Sequence, residues 1–277
     1  MKKLYISDLD GTLLNNNGEL SEYAKTEIEN FYREGVLFSV ATARSCASIR
    51  LVLGDLKFNA PVVLNNGVMI YDLNENRAVS YHSLTKEAVE SVFSLFSEYS
   101  KHPMLFLYSM QEQNMYIRYT EFDNAQMEEF YNIRKKTLEG RFTREENITK
   151  TPEDKDAIYM NYWAPKEELD PIVERLKMIP DITFSYYRDS YCGDWLLEIY
   201  SAKASKANGV REVKESVNAD FVTAFGDNLN DISMLEAADI GVAVSNAAQG
   251  LFEHADLVIG TNEKNSVIDY VKADVKE

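Results

Sequence analysis

The sequence predicts an α/β fold in which a core built on a parallel sheet is interrupted by an inserted α+β domain. Short, wholly apolar strands alternate with amphipathic helices in the first part of the chain and again in the last part, as in parallel sheets covered by helices on both faces. Between these parts the strands become aromatic and alternate apolar with polar residues, which is typical of antiparallel sheets. We therefore assign residues 1–82 and 195–277 to the core and residues 83–194 to the insert.

The first part of the core begins with the apolar strand LYISD. The stretch SEYAKTEIENFYREG then has helical spacing, with Ser21 as the N-cap and Gly35 as the end of the helix. VLFSVATA and APVVLNNG are predicted as the second and third strands, and ARSCASIRLVLG is predicted as the helix between them. VMIYDLNENRAVSYHS predicts a hairpin whose polar turn spans residues 74–76.

The insert carries the aromatic strands MLFLYSM, MYIRYTEF, AIYMNYWA and ITFSYYRD, with helices such as TKEAVESVFSLFSEYSK between them. This pattern predicts a mostly antiparallel sheet with helices on one face. After the insert, the first pattern returns with SKANGVREVKES as a helix and FVTAFGD as a strand. We also predict helices at NDISMLEAA, NAAQGLFEH and the C-terminal NSVIDYVKADVKE, with strands at DIGVAVS and ADLVIG.

Charge and composition exclude several classes of function. The net charge of −16 argues against a nucleic-acid partner, because such binding depends on Lys and Arg that neutralise phosphates. No apolar run is long enough to span a membrane, and Asp8 and Asp10 interrupt any signal-peptide core. Cys46 and Cys192 lack ligand spacing and are expected to be reduced thiols. We therefore expect a cytoplasmic protein, either a monomer or a weak homo-oligomer.

Polar and acidic side chains follow four of the predicted core strands. They are Asp8, Asp10, Thr42, Asn66, Asp227 and Asp231. Each alone has an ordinary explanation, such as a polar turn or an acidic first turn of a helix, but ligands of open α/β sheets bind where parallel strands end. Carboxylates about 6 Å apart repel one another by roughly 3 kcal/mol per pair at an effective dielectric near 20. The set therefore predicts a divalent cation, with Mg²⁺ favoured by the oxygen ligands.

The motifs DLDGTLL, ATAR, NNG, SKA and GDNLNDISML occur in this order. Together they resemble the haloacid dehalogenase superfamily of phosphatases, and most of all its Cof-type branch, whose larger cap is inserted after the third strand. SNA at residues 245–247 resembles a further element of that branch. The resemblance covers nearly the whole chain and implies a Rossmann-like core with an α+β cap that reads the leaving group.

The resemblance implies a role for each aspartate. Asp8 would be the nucleophile that forms an aspartyl-phosphate, and Asp10 would be the general acid and base. Asp227 would ligate Mg²⁺ together with Asp8 and the backbone carbonyl of Asp10. Asp231 would support either the metal or the lysine.

The remaining implied residues bind phosphate. Thr42 and Asn230 would form hydrogen bonds with the phosphoryl group, and Asn66 and Gly11 would contribute to the same site. Lys206 would neutralise charge on the nucleophile and the phosphate. The lysine motif reads SKA where the family usually has SKG, and Lys203 is the alternative. Lys206 is favoured, because the run from Glu198 and Ile199 to Lys206 keeps the family's spacing without a gap. Ala43 also replaces the family's usual Gly.

The implied activity is Mg²⁺-dependent hydrolysis of small phosphorylated metabolites, either sugar phosphates or phosphorylated cofactors. A phosphomutase on the same core stays open, because sequence does not distinguish retention of the phosphate from its release. A dehalogenase would have no use for Asp10, and a silent binding protein would be expected to lack Asp8 or Asp10. A receiver-type signalling module would have adjacent acidic residues and no insert, and both features of this chain argue against it.

Overall fold

A computed structural model describes residues 1–135, 141–189 and 193–276 of the protein. The chain forms two compact units: the core unit, Met1–Tyr81 with Ala204–Glu277, and the inserted unit, His82–Lys203. Cys46 is a free thiol, and Cys192 lies outside the described residues. Within the described ranges, no helix is long and apolar enough to cross a membrane.

The elements of the core unit alternate along the chain as the apolar pattern predicts. The strands are β1 (Lys3–Ser7), β2 (Leu37–Val40), β3 (Val62–Leu64), β4 (Met69–Asp72), β5 (Arg77–Tyr81), β12 (Phe221–Gly226), β13 (Ile240–Val244) and β14 (Leu257–Ile259). The helices are α1 (Glu22–Glu34), α2 (Cys46–Leu53), α6 (Lys206–Ser216), α7 (Ile232–Ala237) and α8 (Ser266–Asp274). Ser21 caps α1 by accepting a hydrogen bond from the Ala24 backbone, and the helix ends at Gly35 in the left-handed region, as predicted.

The main sheet of the core unit has the order β14-β13-β12-β1-β2 and is parallel throughout. A parallel bridge between Ala41 and Val63 connects β2 to β3, and β3, β4 and β5 form an antiparallel sheet. The central strands are buried on both faces: on β1, Leu4 and Ile6 are wholly inaccessible to solvent on one face, and Tyr5 is 1 % exposed on the other. This burial explains their continuous apolar sequence and confirms the predicted α/β fold.

The inserted unit contains six strands and three helices within its described residues, and each helix is followed by two strands. The strands are β6 (Met104–Ser109), β7 (Asn114–Tyr119), β8 (Phe142–Arg144), β9 (Asp156–Ala164), β10 (Ile182–Arg188) and β11 (Trp195–Ser201). The helices are α3 (Lys86–Glu98), α4 (Ala125–Arg134) and α5 (Lys166–Leu176). The sheet order is β10-β11-β9-β6-β7-β8, and every pair is antiparallel except β7 with β8.

The helices of the inserted unit pack on both faces of this sheet, so the prediction of helices on one face is wrong. Tyr162 of β9 contacts Phe96 of α3, whereas the neighbouring Trp163 contacts Phe130 of α4. Successive side chains of a strand point to opposite faces, and α3 and α4 therefore lie on opposite sides. Both faces of β9 carry aromatic side chains, Tyr162 on one and Trp163 on the other, so the aromatic pattern does not show which face a helix covers.

The boundary after the insert also differs from the predicted one. Residues 195–203 were assigned to the core, but β11 pairs along its length with β9 and β10 of the inserted unit, and the core unit resumes at Ala204. The apolar run WLLEIYS is equally typical of a core strand, which explains why residues 195–203 were wrongly predicted to belong to the core. In addition, the helix predicted at NAAQGLFEH is only a short 3₁₀ segment, Gln249–His254.

Candidate active site

The two central strands of the core sheet end beside each other at the point where the strand order reverses. β1 pairs with both β2 and β12, with Ser7 opposite Val40 and Phe225. The chain then leaves the sheet at Asp8 on one strand and, after Gly226, at Asp227 on the other. In open α/β sheets this position is where ligands bind, so the topology alone places the first and last motifs at one crevice.

Lys206 connects two of the predicted aspartates. Its Nζ donates to Asp8 Oδ1 at 2.5 Å and to Asp231 Oδ1 at 2.6 Å. Lys206 is 3 % exposed and Asp8 is 6 % exposed, so the contacts are shielded from solvent screening. Lys203 lies exposed in the inserted unit, and the structure thus places Lys206, rather than Lys203, among the acidic side chains.

The start of α6 fixes the position of Lys206. Ser205 is the N-cap of this helix, and its side chain accepts a hydrogen bond from the Asn208 backbone. Gly67 of the NNG turn lies against this point: a Cβ on Gly67 would be 2.2 Å from the backbone oxygen of Ser205, and the φ of Gly67 is +98°. Only glycine fits this close approach. The NNG motif therefore positions the SKA motif, which carries Lys206.

Three carboxylates meet around this lysine. Asp8, Asp227 and Asp231 each offer an oxygen, and these oxygens all lie within 4.8 Å of one another. Burial raises the pKa of Asp8 to about 8, although Lys206 lowers it, and Asp231 raises it further. Burial also raises the pKa of Asp227 to about 6, and Asp231 adds to that increase. One lysine therefore does not balance three carboxylates, and the cluster favours binding a further cation.

The charge of Lys206 is secured by the same neighbours. Burial lowers its pKa, but the carboxylates of Asp8 and Asp231 more than offset burial, and the net shift of the pKa is upward. Lys206 is therefore protonated throughout the physiological range.

Asp231 is held by hydrogen bonds on both of its oxygens. Oδ1 accepts from Lys206, and Oδ2 accepts from the backbone N–H groups of Asp227 and Asn228, both at 3.1 Å. The side chain is wholly buried. Since its oxygens are already engaged, Asp231 orients the lysine and the GDNLND turn more directly than it offers a free oxygen to a metal.

The chain turns away from Asp8 at Gly11, whose φ is +85°. A Cβ at this position would lie 2.3 Å from Asp227 Oδ2, so glycine is needed for the first motif to approach Asp227. The next residue, Thr12, donates from its Oγ1 to Asp227 Oδ1 at 3.0 Å. Asn246 of the SNA element donates from Nδ2 to the Gly11 carbonyl at 2.8 Å.

Asp10 lies outside the group of three carboxylates, and its side chain pairs with Arg44. Arg44 Nε donates to Asp10 Oδ2 at 2.7 Å, and Nη2 donates to Oδ1 at 2.6 Å. This bidentate geometry matches a planar guanidinium to a carboxylate and fixes its orientation. The carboxylate remains about half exposed, which leaves it accessible to a substrate.

Thr42 and Asn66 meet at the end of β2. Thr42 is 1 % exposed, its Oγ1 accepts from the Arg44 backbone at 3.1 Å, and its carbonyl accepts from the Asn66 backbone at 3.0 Å. Asn65 and Asn66 both have positive φ angles, which asparagine tolerates better than most residues. Asn230 lies exposed in the turn Leu229–Asp231 before α7.

Comparison with known proteins shows the family of the chain. The family model described as haloacid dehalogenase-like hydrolase matches residues 5–271. The chain belongs to this hydrolase family.

Several relatives of this haloacid dehalogenase-like hydrolase match almost end to end. Phosphatase YwpJ of Bacillus subtilis is 25 % identical over 295 residues, with 98 % of this chain and 99 % of the relative covered. The 5-amino-6-(5-phospho-D-ribitylamino)uracil phosphatase YitU of Bacillus subtilis is 24 % identical, with 96 % and 94 % covered. A solved haloacid dehalogenase-like hydrolase from the same organism superposes with a TM-score of 0.72 at 24 % identity, with 98 % and 99 % covered. The likeness to the solved structure shows the fold.

The site of this hydrolase has the chemistry that a hard divalent cation needs. The grouped side chains offer carboxylate oxygens only, which suits Mg²⁺ better than a softer metal. The raised pKa values of Asp8 and Asp227 point to the same fit, since a bound cation would remove the repulsion that burial intensifies. Asp8 and Asp227 are the side chains that would hold the ion.

Sequence reasoning missed three contacts of this site. The ATAR motif predicts no role for Arg44, and the first motif predicts none for Thr12. Asn246 was noted as part of a recurring element, yet its bond to Gly11 follows from geometry alone. Arg44 could have been inferred from its position two residues after Thr42, at the strand end where an exposed carboxylate needs a partner.

Proposed function

We propose that the protein is a Mg²⁺-dependent phosphatase that hydrolyses small phosphorylated metabolites through an aspartyl-phosphate. Its family of hydrolases and its relatives named phosphatases support the reaction class. The observation that carries the proposal is the buried contact of Lys206 with Asp8, at 2.5 Å, beside Asp227 at the carboxyl end of a parallel sheet.

In the proposed reaction, an oxygen of Asp8 attacks phosphorus while the bond from phosphorus to the leaving oxygen breaks. Asp10 gives its proton to the leaving alkoxide and then takes a proton from the water that hydrolyses the aspartyl-phosphate. Lys206 keeps a positive charge beside the attacking carboxylate. The side chains of Asp8 and Asp227, with the backbone carbonyl of Asp10, would hold Mg²⁺, which supplies positive charge to the transferring phosphoryl group when bound.

The phosphate-binding roles of Thr42, Asn66, Asn230 and Gly11 remain part of the proposal. The buried Thr42 and the turn at Asn66 lie at the same edge of the sheet as Asp8, which supports a shared site. Sugar phosphates and phosphorylated cofactors are the proposed substrate classes, and we propose a cytoplasmic location. The free thiol of Cys46 is compatible with a reducing compartment.

The proposal is tested by measuring phosphate release from a panel of phosphomonoesters with Mg²⁺ and with a chelator. We expect the wild type to be active only with the metal, and Asp8→Asn to lose at least about 10³-fold in kcat, because a neutral amide does not attack phosphorus. The matched control is Asp55→Asn, since Asp55 is exposed. Wild-type rates in Asp8→Asn, or full activity in the chelator, would overturn the mechanism.

A further inference from the structure

The segment that follows β13, residues 245–248, is hydrogen-bonded to two separate turns of the candidate active site. Asn246 Nδ2 donates to the Gly11 carbonyl in the DLDGTLL turn at 2.8 Å. Two residues later, the Ala248 backbone N–H donates to the Asp227 carbonyl at 2.7 Å. All of these residues belong to the core unit. One short segment therefore connects the two turns that carry the proposed metal ligands.

Both ends of the Asn246 amide are engaged by backbone groups, although the residue lies exposed. Its Oδ1 accepts from the Asn262 N–H at 3.0 Å. Because a backbone N–H is a donor, this contact requires the amide oxygen at that end and turns the NH₂ group towards Gly11. Asn262 itself is 3 % exposed and donates from Nδ2 to the Leu14 carbonyl at 2.9 Å. A buried neighbour therefore fixes the orientation of the Asn246 amide.

The Gly11 carbonyl is adjacent to the peptide group that the proposed mechanism uses. The Asp10 carbonyl, which would bind Mg²⁺, is separated from the Gly11 carbonyl only by the φ and ψ rotations of Gly11. These angles are +85° and −7°, in a region that glycine enters and leaves without steric cost. A hydrogen bond that holds the Gly11 carbonyl therefore restricts the direction of the Asp10 carbonyl.

The same turn lies directly against the Asp227 side chain. A Cβ on Gly11 would be 2.3 Å from Asp227 Oδ2, and Thr12 Oγ1 donates to Asp227 Oδ1 at 3.0 Å. The conformation of the turn therefore decides where this carboxylate lies. Water would replace the Asn246 donor at the Gly11 carbonyl if the side chain were removed, but it would not connect the turn to β13.

We propose that Asn246 is a positioning residue for the Mg²⁺ site. Its bond to Gly11 holds the Asp10 carbonyl and the Asp227 carboxylate in the arrangement that the ion needs, and Asn246 itself contacts neither the ion nor the phosphate. The inference rests on the proposed function, because it concerns the metal that this function requires. Hydrogen-bonding partners that orient metal ligands typically contribute about 10- to 100-fold to metal affinity.

Asn246→Asp tests this role. The change keeps the shape of the side chain and the acceptor for the Asn262 N–H, but it removes the donor to Gly11. An added negative charge by itself should strengthen Mg²⁺ binding, whereas loss of the bond to Gly11 should weaken it. We expect Kd for Mg²⁺, measured by isothermal titration calorimetry, to rise about tenfold or more. The binding event of this site is identified as the one that Asp227→Asn removes.

Ser245→Asp is the matched control, because it adds the same charge one residue away, at an exposed position of the same segment. It should bind Mg²⁺ at least as tightly as the wild type. Asn246→Ala removes the donor without adding charge and should raise Kd by a similar factor to Asn246→Asp. Without metal, the urea midpoint of each variant should stay near that of the wild type, since changes at exposed side chains usually have small effects on stability.

A second readout separates positioning from a general disturbance of the fold. The Mg²⁺ concentration for half-maximal hydrolysis of nitrophenyl phosphate should rise together with Kd in Asn246→Asp and Asn246→Ala. At saturating Mg²⁺, kcat should stay within about threefold of the wild type, because the bound ion shifts the turn back to the arrangement that binds it.

The outcomes separate this inference from the proposed function. Wild-type Kd for Mg²⁺ in both Asn246 variants, or a fall in kcat that saturating Mg²⁺ does not recover, overturns the positioning role and leaves the phosphatase. A large fall in the urea midpoint without a change in Kd also overturns it, because Asn246 would then support only the fold. Failure of the wild type to bind Mg²⁺ at the site that includes Asp227 overturns both.

Discussion

Arg44 holds Asp10 by two parallel hydrogen bonds, one to each carboxylate oxygen. Asp10 of the DLDGTLL motif follows β1, and Arg44 of the ATAR motif follows β2. The pair therefore joins these two motifs across the carboxyl edge of the sheet. A guanidinium held in this way fixes the plane of the carboxylate; under the proposed mechanism it would thereby orient the general acid and base.

Replacing Arg44 by Lys should lower kcat for alkyl phosphates by about 10- to 100-fold, because a single ammonium group does not hold both oxygens of Asp10. Nitrophenyl phosphate, whose leaving group departs without a proton, should lose far less. Asp10→Asn should show the same imbalance with larger losses. Arg33→Lys is the control, since Arg33 is an exposed arginine of α1 that pairs with Glu29. Equal losses on both substrate types would contradict the positioning role.

Lys206→Met should destabilise the core unit by about 3–5 kcal/mol, because removal of one partner leaves buried carboxylates uncompensated. The free energy of unfolding in urea measures this change. Addition of Mg²⁺ should recover part of the loss, since the ion replaces the missing positive charge. Lys203→Met should leave the stability near that of the wild type, because Lys203 is exposed. A Lys206→Met protein as stable as Lys203→Met would refute the charge balance described for the site.

Gly67→Ala should be more destabilising than Gly35→Ala by at least about 1 kcal/mol. Both glycines have positive φ angles, but a Cβ on Gly35 meets nothing within 4 Å, whereas one on Gly67 meets the Ser205 backbone. The difference between the two variants therefore isolates the close approach from backbone strain. Because Ser205 precedes Lys206, Gly67→Ala should also lower kcat. Similar unfolding free energies for the two variants would show that α6 is free to shift.

Glu198 should make stability depend on pH. Burial raises its pKa from 4.5 to about 7, so the folded state binds the proton more tightly than the unfolded state. The resulting penalty is absent below about pH 4.5, grows as the pH rises through this window and is complete above about pH 7. Relative to Glu198→Gln, the wild type should lose about 1–3 kcal/mol of unfolding free energy between pH 4 and pH 8.

The groups that surround Glu198 do not cancel this effect, because burial raises the pKa of the Tyr187 and Tyr159 hydroxyls, which stay neutral in the window, and Asp189 raises the pKa of Glu198 further. Denaturant unfolding at several pH values measures the difference between the two proteins. A difference that stays constant with pH would show that Glu198 is not shielded as the structure indicates.

The sequence predicted most of the core because its strands are apolar on both faces and end in unusual polar clusters. Asp8, Asp227 and Asp231 were placed at one edge by topology alone, and the structure brings them together. The resemblance to the family's spacing favours Lys206 over Lys203, and Lys206 is the lysine that contacts Asp8. These are features that local pattern and strand order determine together.

The wrong predictions concern which elements pack together, because the local residue pattern of a strand or helix does not reveal its partner. WLLEIYS carries no mark that its partners are β9 and β10 rather than core strands. The face on which α4 packs depends on aromatic contacts such as Phe130 with Trp163, which no periodicity encodes. Arg44 was overlooked because an arginine after a strand is common, and its significance arises only from its distance to Asp10.

The placement of β1 between β2 and β12 has a consequence for synthesis of the chain on the ribosome. β2 emerges soon after β1, but β12 follows only after the whole inserted unit, His82–Lys203, has been made. Until then one side of an apolar strand lacks its neighbour, and such edges attract other chains. Among the described residues, the strands of the inserted unit pair only with one another, so its sheet needs no strand from the core unit. Chaperone dependence should therefore fall sharply once Gly226 has emerged from the ribosome.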